Sequence, residues 1–204
     1  TAYLPFVGGA ELAIKEITER LPHISFSLIT ARLSRAVPVH ERIGNVNVYR
    51  VGFGIRFDKW LLPWLGLRKA KQLARTEHVD VIWSMMASQA SIAATWFKEL
   101  HQEKKLVLTL QEGDEEAHLK RYVLGNEFFY QLFIHSWHVG IFKQADVITA
   151  ISNHLAGRAR RNSSAEVVVI PNGVTVGKFE YRISNIEKEE IRKELEIKTG
   201  DKVV

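Results

Sequence analysis

The sequence has no cysteine at any of its 204 positions. That excludes a disulfide framework and a thiolate metal site, and it fits a reducing, cytoplasmic setting. No apolar run approaches the roughly 20 residues that a bilayer-spanning helix needs. Internal repeats and low-complexity tracts are also lacking. So is the dinucleotide fingerprint: Gly8-Gly9-Ala10-Glu11-Leu12-Ala13 does not carry the G-x-G-x-x-G spacing, which disfavours a nicotinamide-dependent dehydrogenase. None of the usual nucleic-acid-binding motifs occurs, and the aromatic residues lie in apolar helical segments rather than on a basic strand platform. Nucleic acid is therefore not expected as a partner.

What the chain does have is a surplus of positive charge, +5 at neutral pH with a pI near 9.4. That balance favours anionic partners: phosphates, nucleotides or a lipid surface. It also has a regular alternation of two hydrophobic periods. Ala10, Ala13, Ile14, Ile17 and Leu21 recur at helical spacing after the Gly8-Gly9 turn. Ile24–Thr30 and Val46–Val51 read as strands, with a basic, proline-containing loop between them and an irregular stretch from Gly52 to Asp58. Pro63 suits the first turn of a helix running towards His78. Val79–Trp83 and Lys105–Leu110 read as strands around a helix over Gln89–Leu100, and a long aromatic helix is expected over about Glu127–Lys143. Strands alternating with helices predict an α/β domain, a Rossmann-like parallel sheet with helices on both faces. Asn185–Leu195 is charged and reads as a surface linker helix.

The stretch from Ala145 to Phe179 organises the rest. Asp146–Ala150 is an apolar strand, Ser152 or Asn153 is placed to cap a short basic helix, and Val167–Ile170 is a second strand. Pro171 ends that strand, and Gly173 is expected to permit a turn that a Cβ would forbid. Ala145-Asp146, Ala150, Ser152, then Val167–Ile170 with Pro171-Asn172-Gly173-Val174 and Phe179, resemble the end of the N-terminal domain of GT-B retaining glycosyltransferases of family 4. Gly8-Gly9-Ala10-Glu11 and Thr109–Asp114 match two further landmarks in order, so the resemblance covers nearly the whole chain.

The resemblance implies an N-terminal, acceptor-side domain over residues 1–178 whose first strand is truncated. Residues 179–204 would then be an interdomain linker helix and the start of a C-terminal, donor-binding domain. It implies transfer of a sugar from a nucleotide-sugar donor to a lipid, saccharide or other small acceptor, with no metal or other cofactor required. A sugar-nucleotide epimerase of the same fold and a non-catalytic module binding a sugar or lipid headgroup are the alternatives.

In an open sheet of this kind ligands bind beyond the carboxyl ends of the strands. Four stretches follow strands: Gly8-Gly9, Trp83–Ser88, Gln111–Asp114 and Ser152-Asn153. Gly8 and Gly9 open a helix, where bare N–H groups attract anions. The resemblance turns them towards the donor's phosphates, whereas by themselves they read as a tight strand-to-helix turn. Glu11 lies in the first helical turn, favoured there by the helix dipole and, by resemblance, near the acceptor. Gln111 stands where many relatives carry histidine. An amide both donates to and accepts from a sugar hydroxyl but does not shuttle a proton near neutral pH, so it is a positioning group. Asp114 is an acceptor for a hydroxyl, and Glu112 beside it does not make a glycosidase pair. By resemblance alone Ser152 joins the sugar-binding set, and Asn172 with Gly173 forms the interdomain hinge; Thr175 replaces the aspartate usual after that turn.

Trp60, Trp64, Arg68, Lys71 and Arg75 fall on one face of the predicted helix. They form a candidate face for an anionic membrane, or else core tryptophans beside a solvated basic ridge. His135 and His138, three residues apart, lack a third ligand, so no metal site is assigned to them. The residues that carry catalysis are not identified in this half. The cytoplasm, with peripheral contact at the membrane, is the expected location.

Overall fold

A computed structural model of the chain describes residues 1–111, 136–173 and 185–197. In chain order the elements are α1 (Gly9–Glu19), β1 (Phe26–Ala31), β2 (His40–Ile43), β3 (Val46–Val51) and α2 (Asp58–Leu73). They continue with β4 (Val81–Met85), α3 (Gln89–Leu100), β5 (Lys105–Leu110), α4 (Ser136–Gln144) and β6 (Val147–Ala150). Last come α5 (Asn153–Asn162), β7 (Glu166–Val169) and α6 (Asn185–Glu194). Of the long aromatic helix expected from about Glu127, only the α4 part falls within the described residues. The chain divides into two compact units, Thr1–Pro171 and Asn172–Val204.

The first unit is the α/β domain that the alternation predicts, with one departure. Its strands form two sheets, β4-β5-β6-β7, parallel throughout, and β1-β3-β2, in which β2 runs antiparallel to β3. The sequence reading placed a loop where β2 lies. His40–Ile43 is short, polar and exposed on one side, as an edge strand is, so it carries no apolar run to announce it. A two-residue turn brings Ile43 opposite Val46, with Gly44 at φ +60°. The Asn45 amide then donates to the carbonyls of Thr18 and Leu21 at 2.9 and 3.1 Å, fastening the hairpin to the end of α1.

Helix α2 starts at Asp58, five residues before Pro63, and ends at Leu73. Pro63 is therefore buried inside the helix rather than in its first turn. It lacks the N–H that would have bonded the Lys59 carbonyl. The start is fixed instead by Asp58, whose Oδ2 accepts from the N–H groups of Gly54 and Ile55 at 2.7 and 3.1 Å. Further along, Gly66 lets α2 lie close on α3. A Cβ there would sit 3.1 Å from that of Ala93.

Two apolar clusters hold the unit together. Leu108, Leu110, Ile148 and Ala150 of β5 and β6 pack with Ile141 and Phe142 of α4 and with Leu155, Ala156 and Ala159 of α5. Tyr3, Val46 and Val48 pack with Leu4, Ile14, Phe26, Leu28 and Ile43. Asp146 ties β6 to β5: its carboxylate accepts from the Leu106 N–H at 2.8 Å and pairs with Lys98 at 3.0 Å and Lys105 at 3.1 Å. Burial pushes the Asp146 pKa up, but these three donors outweigh it and bring the value down to about 2.

Gly173 does not do what the sequence reading asked of it. Its φ lies outside the left-handed region, and a Cβ there would meet nothing within 4 Å, so the turn after β7 tolerates a side chain. Asn172 and Gly173 both fall in the second unit, with the charged helix α6.

Candidate functional site

Loops leaving the carboxyl ends of the strands make the candidate site. Helix α1 begins at the Gly8-Gly9 turn, with Gly8 as an extended N-cap residue that offers no capping side chain. Glu11, in the first turn, stands close to it. Its carboxylate lies over Gly8, and a Cβ there would come within 2.6 Å of Oε2. Gly9, one residue on, faces open space. Thr1 connects two other elements. Its carbonyl accepts from the Ala31 N–H at 3.1 Å and from the Thr30 hydroxyl at 2.5 Å, at the end of β1. Its own hydroxyl reaches Gln89, the first residue of α3, at 3.4 Å. Thr1 thus joins the end of β1 to the start of α3.

Between β4 and α3 the backbone makes a tight, over-determined turn. Met86 sits in the left-handed region at φ +67°, which costs an L residue roughly 1–2 kcal/mol. Its N–H donates to the Thr109 carbonyl at 2.8 Å, and its carbonyl accepts from the Ser88 N–H at 3.0 Å and from the Ser91 hydroxyl. Ser91 and Ser84, both buried, share a hydrogen bond of 2.6 Å. Ser88, the N-cap residue of α3, makes no capping bond, and its hydroxyl oxygen is buried without a partner. Strain of this sort concentrates at working sites.

Along β5, Thr109 accepts from the Trp83 indole N–H at 2.8 Å and from the Thr149 hydroxyl at 2.8 Å, a polar line across three strands just beneath Gln111. Gln111 is half-buried at the end of β5. Ser152 caps α5, its Oγ accepting from the Leu155 N–H at 3.3 Å. Of the basic residues on α5, Arg158 is not solvated: it is buried with its guanidinium 5.8 Å from the Phe142 ring centre.

Gly8, Gly9 and Glu11 stand together at the start of α1, while Gln111 and Ser152 stand at the ends of β5 and β6 along the parallel sheet. Asp114, Glu112, Thr175 and His135 lie outside the described residues, as does the His138 side chain. Among the described residues no group of three histidine, aspartate or glutamate side chains is placed to hold a metal ion. No helix among them is long and apolar enough to cross a membrane. Trp64, Arg68, Lys71 and Arg75 line one groove on α2, as their shared face requires, and Trp60 lies one turn earlier.

Sequence reasoning passed over Arg50. In β3 it points inward, buried, and donates to the carbonyls of Leu4 at 2.5 Å and Pro38 at 3.0 Å while pairing with Glu41 at 2.6 Å. It pins the segment leading to Gly8 against the sheet. Only its place on the inward side of an alternating strand could have drawn notice.

Helices flanking a parallel sheet, with polar loops gathered at the strand ends, define the fold of the GT-B glycosyltransferases. Residues 7–178 match Glycosyltransferase Family 4, and the chain belongs to that family. No curated protein matches it by sequence. Solved structures share the fold at low identity. The α,α-trehalose 6-phosphate synthase of Burkholderia multivorans is 16% identical with a TM-score of 0.55, over 93% of this chain and 51% of its own. The sucrose-phosphate synthase of Thermosynechococcus elongatus is 14% identical with a TM-score of 0.56, over 90% of this chain and 96% of that one. A UDP-forming trehalose-phosphate synthase of Burkholderia vietnamiensis is 16% identical at 0.53, over 96% and 53%. The chain thus spans about half the length of the two trehalose-phosphate synthases.

Proposed function

We propose that the chain is the N-terminal, acceptor-side domain of a retaining, hexosyl-transferring enzyme. Its donor is a nucleotide-sugar and its acceptor a lipid, a saccharide or another small hydroxyl compound. The observation that carries the reading is the open start of α1, where Gly8 and Gly9 present the helix N-terminus with the Glu11 carboxylate beside it. Helix starts present bare N–H groups and a positive dipole, the environment a diphosphate prefers, and Gly9 leaves the approach open. The Glu11 carboxylate lies over that helix start. In the proposed cycle it gives way to the donor phosphate and accepts a hydrogen bond from the acceptor hydroxyl. Gln111, Asp114 and Ser152 orient sugar hydroxyls, and Asn172-Gly173 serve as the hinge.

The acceptor oxygen bonds the anomeric carbon as the bond to the diphosphate breaks, and its proton leaves with the diphosphate. Oriented donors stabilise that charge as it develops, most of them from a second domain that closes over the donor. No metal takes part in this scheme, and the 204-residue chain alone turns nothing over. The full-length enzyme works in the cytoplasm, at the membrane surface.

The test is to incubate the full-length protein with a panel of nucleotide-sugars, with and without lipid extract, and to follow nucleoside diphosphate and product by mass spectrometry. Diphosphate release with a glycosylated product is expected. Interconverted donors without an acceptor product would replace this reading with an epimerase. Donors left intact under every acceptor condition would leave a binding module.

A further inference from the structure

We infer that Arg50 is a positioning residue for the Gly8-Gly9 turn: from β3 it sets the place of the α1 start through the Leu4 carbonyl, 46 residues away in sequence. Val46, Val48 and Arg50 are the buried residues of alternating β3, and the two valines complete an apolar cluster with Tyr3. A third apolar side chain would suit that face. A guanidinium there gives up its water, and its Nε is buried with no hydrogen-bond partner. Replacing a buried ion pair by apolar side chains is often neutral or stabilising. Stability therefore does not account for Arg50; what it holds does.

Three segments meet at this one side chain. Nη2 donates to the Leu4 carbonyl at 2.5 Å and pairs with the Glu41 carboxylate of β2 at 2.6 Å, while Nη1 donates to the Pro38 carbonyl at 3.0 Å. A planar fork serves several acceptors in a fixed geometry, which an ammonium on a flexible stem does not reproduce. Beyond Leu4 the chain comes out of cover, and Pro5, Phe6, Val7, Gly8 and Gly9 are all exposed. Phe6 bonds back to the Tyr3 carbonyl at 3.3 Å, and the Gly8 carbonyl accepts from the Leu12 N–H at 3.1 Å. The exposed run is thus hung between the Tyr3-Leu4 anchor and α1. Gly8 makes no side-chain capping bond that could set the turn from within. Its upstream end is the one Arg50 fixes.

Where the turn holds the donor's diphosphate, Arg50 places the N–H groups that do so. That consequence rests on the transferase reading; the positioning of the turn does not.

The experiment uses the full-length protein as parent, Arg50→Met, Arg50→Lys, Glu41→Gln and Asp146→Asn. Three quantities are measured: hydrogen exchange over peptides spanning Tyr3–Leu12, affinity for uridine, adenosine and guanosine diphosphates, and melting temperature. Arg50→Met should speed exchange over Tyr3–Leu12 by roughly fivefold or more. It should weaken the diphosphate that the parent binds, and raise KM for the matching donor, by roughly tenfold, as loss of a charge-assisted hydrogen bond does. Arg50→Lys should recover part of both. Glu41→Gln keeps the bond to Leu4 but strips a buried cation of its counter-charge, so it should lower the melting temperature more than Arg50→Met while moving exchange and affinity less. Asp146→Asn, in the other sheet, should lose stability and leave both readouts where they were. A purely structural Arg50 would instead make affinity fall in step with melting temperature across the variants, and that result would overturn the inference. So would unchanged exchange over Tyr3–Leu12 in Arg50→Met, or in Arg50→Lys should the methionine variant fail to fold. A parent that binds none of the three diphosphates refutes the donor reading, and the exchange comparison still decides the role of Arg50. Faster exchange with unaltered affinity keeps Arg50 as the anchor of the turn and moves the diphosphate elsewhere.

Discussion

On the proposed reading Glu11 holds two roles in one side chain, and a single substitution separates them. Its carboxylate lies over Gly8 at the start of α1, where a negative charge near the dipole contributes roughly 0.3–1 kcal/mol. Glu11→Gln should lower stability by about that amount in urea denaturation. In the full-length enzyme the same change should tighten the nucleoside diphosphate, because a competing anion has gone, and raise KM for the acceptor. Weaker diphosphate binding in a calorimetric titration would show that Glu11 does not compete for that site. Ser91 offers a cleaner structural test. Ser91→Ala removes the hydroxyl that holds the Met86 carbonyl and leaves the buried Ser84 hydroxyl without its partner, at a cost of roughly 1–3 kcal/mol. A change within error would mean that the backbone bonds to Thr109 and Ser88 secure the left-handed turn by themselves. The sequence showed that Glu11 sits in a first helical turn, but Arg50 and Ser91 were illegible. Arg50 works through carbonyls 46 and 12 residues away, and Ser91 through a residue whose backbone angle no local pattern announces.

At the scale of elements, the pairing of β6 with β5 is reinforced by an acid whose titration can be followed. The Asp146 pKa is about 2 in the folded chain against 3.8 for a free carboxyl. A depressed carboxylate adds stability that is fully present above pH 4 and is lost as the pH falls towards 2, amounting to about 2 kcal/mol. Asp146→Asn should lose that increment at neutral pH and flatten the acid limb of the stability curve by about one proton. An unchanged limb would place the titration elsewhere. Helix α2 poses the packing counterpart. Gly66→Leu drives a side chain into Ala93, Leu62 and Ile29, and should cost roughly 1–3 kcal/mol by thermal or urea unfolding. Strands β3 and β5 and helix α3 were legible to the residue, because buried β-branched runs and a one-sided apolar stripe leave few alternatives. β2 and the start of α2 were not. An edge strand of His40, Glu41, Arg42 and Ile43 has no apolar signature. The α2 start depends on Asp58 bonding backwards to Gly54 and Ile55, a contact that gives way in sequence to the louder signal of Pro63.

For the molecule as a whole, the family was legible because its landmarks are ordered turns between strands, and residues 7–178 match it. The candidate site was less so. Turn residues such as Gly8, Ser152 and Asn172 look alike whether they bind a ligand or only cap a helix, and here Ser152 is occupied as a cap. On the proposed reading, the work is divided between two domains. The first unit supplies the bare start of α1 and polar side chains beyond the ends of β5 and β6. A diphosphate leaving group needs more fixed positive charge than that helix start carries, since Gly9 contributes N–H groups and Glu11 an opposing carboxylate. On that argument the 204-residue chain should release no nucleoside diphosphate from any nucleotide-sugar, while the full-length protein should release it in proportion to acceptor. Mass spectrometry of parallel reactions at equal concentration makes the comparison. Turnover by the chain alone, abolished by Gly9→Asp but retained in Ser152→Ala, would instead place the whole phosphate-binding device at the start of α1, and the second domain would then serve specificity rather than chemistry.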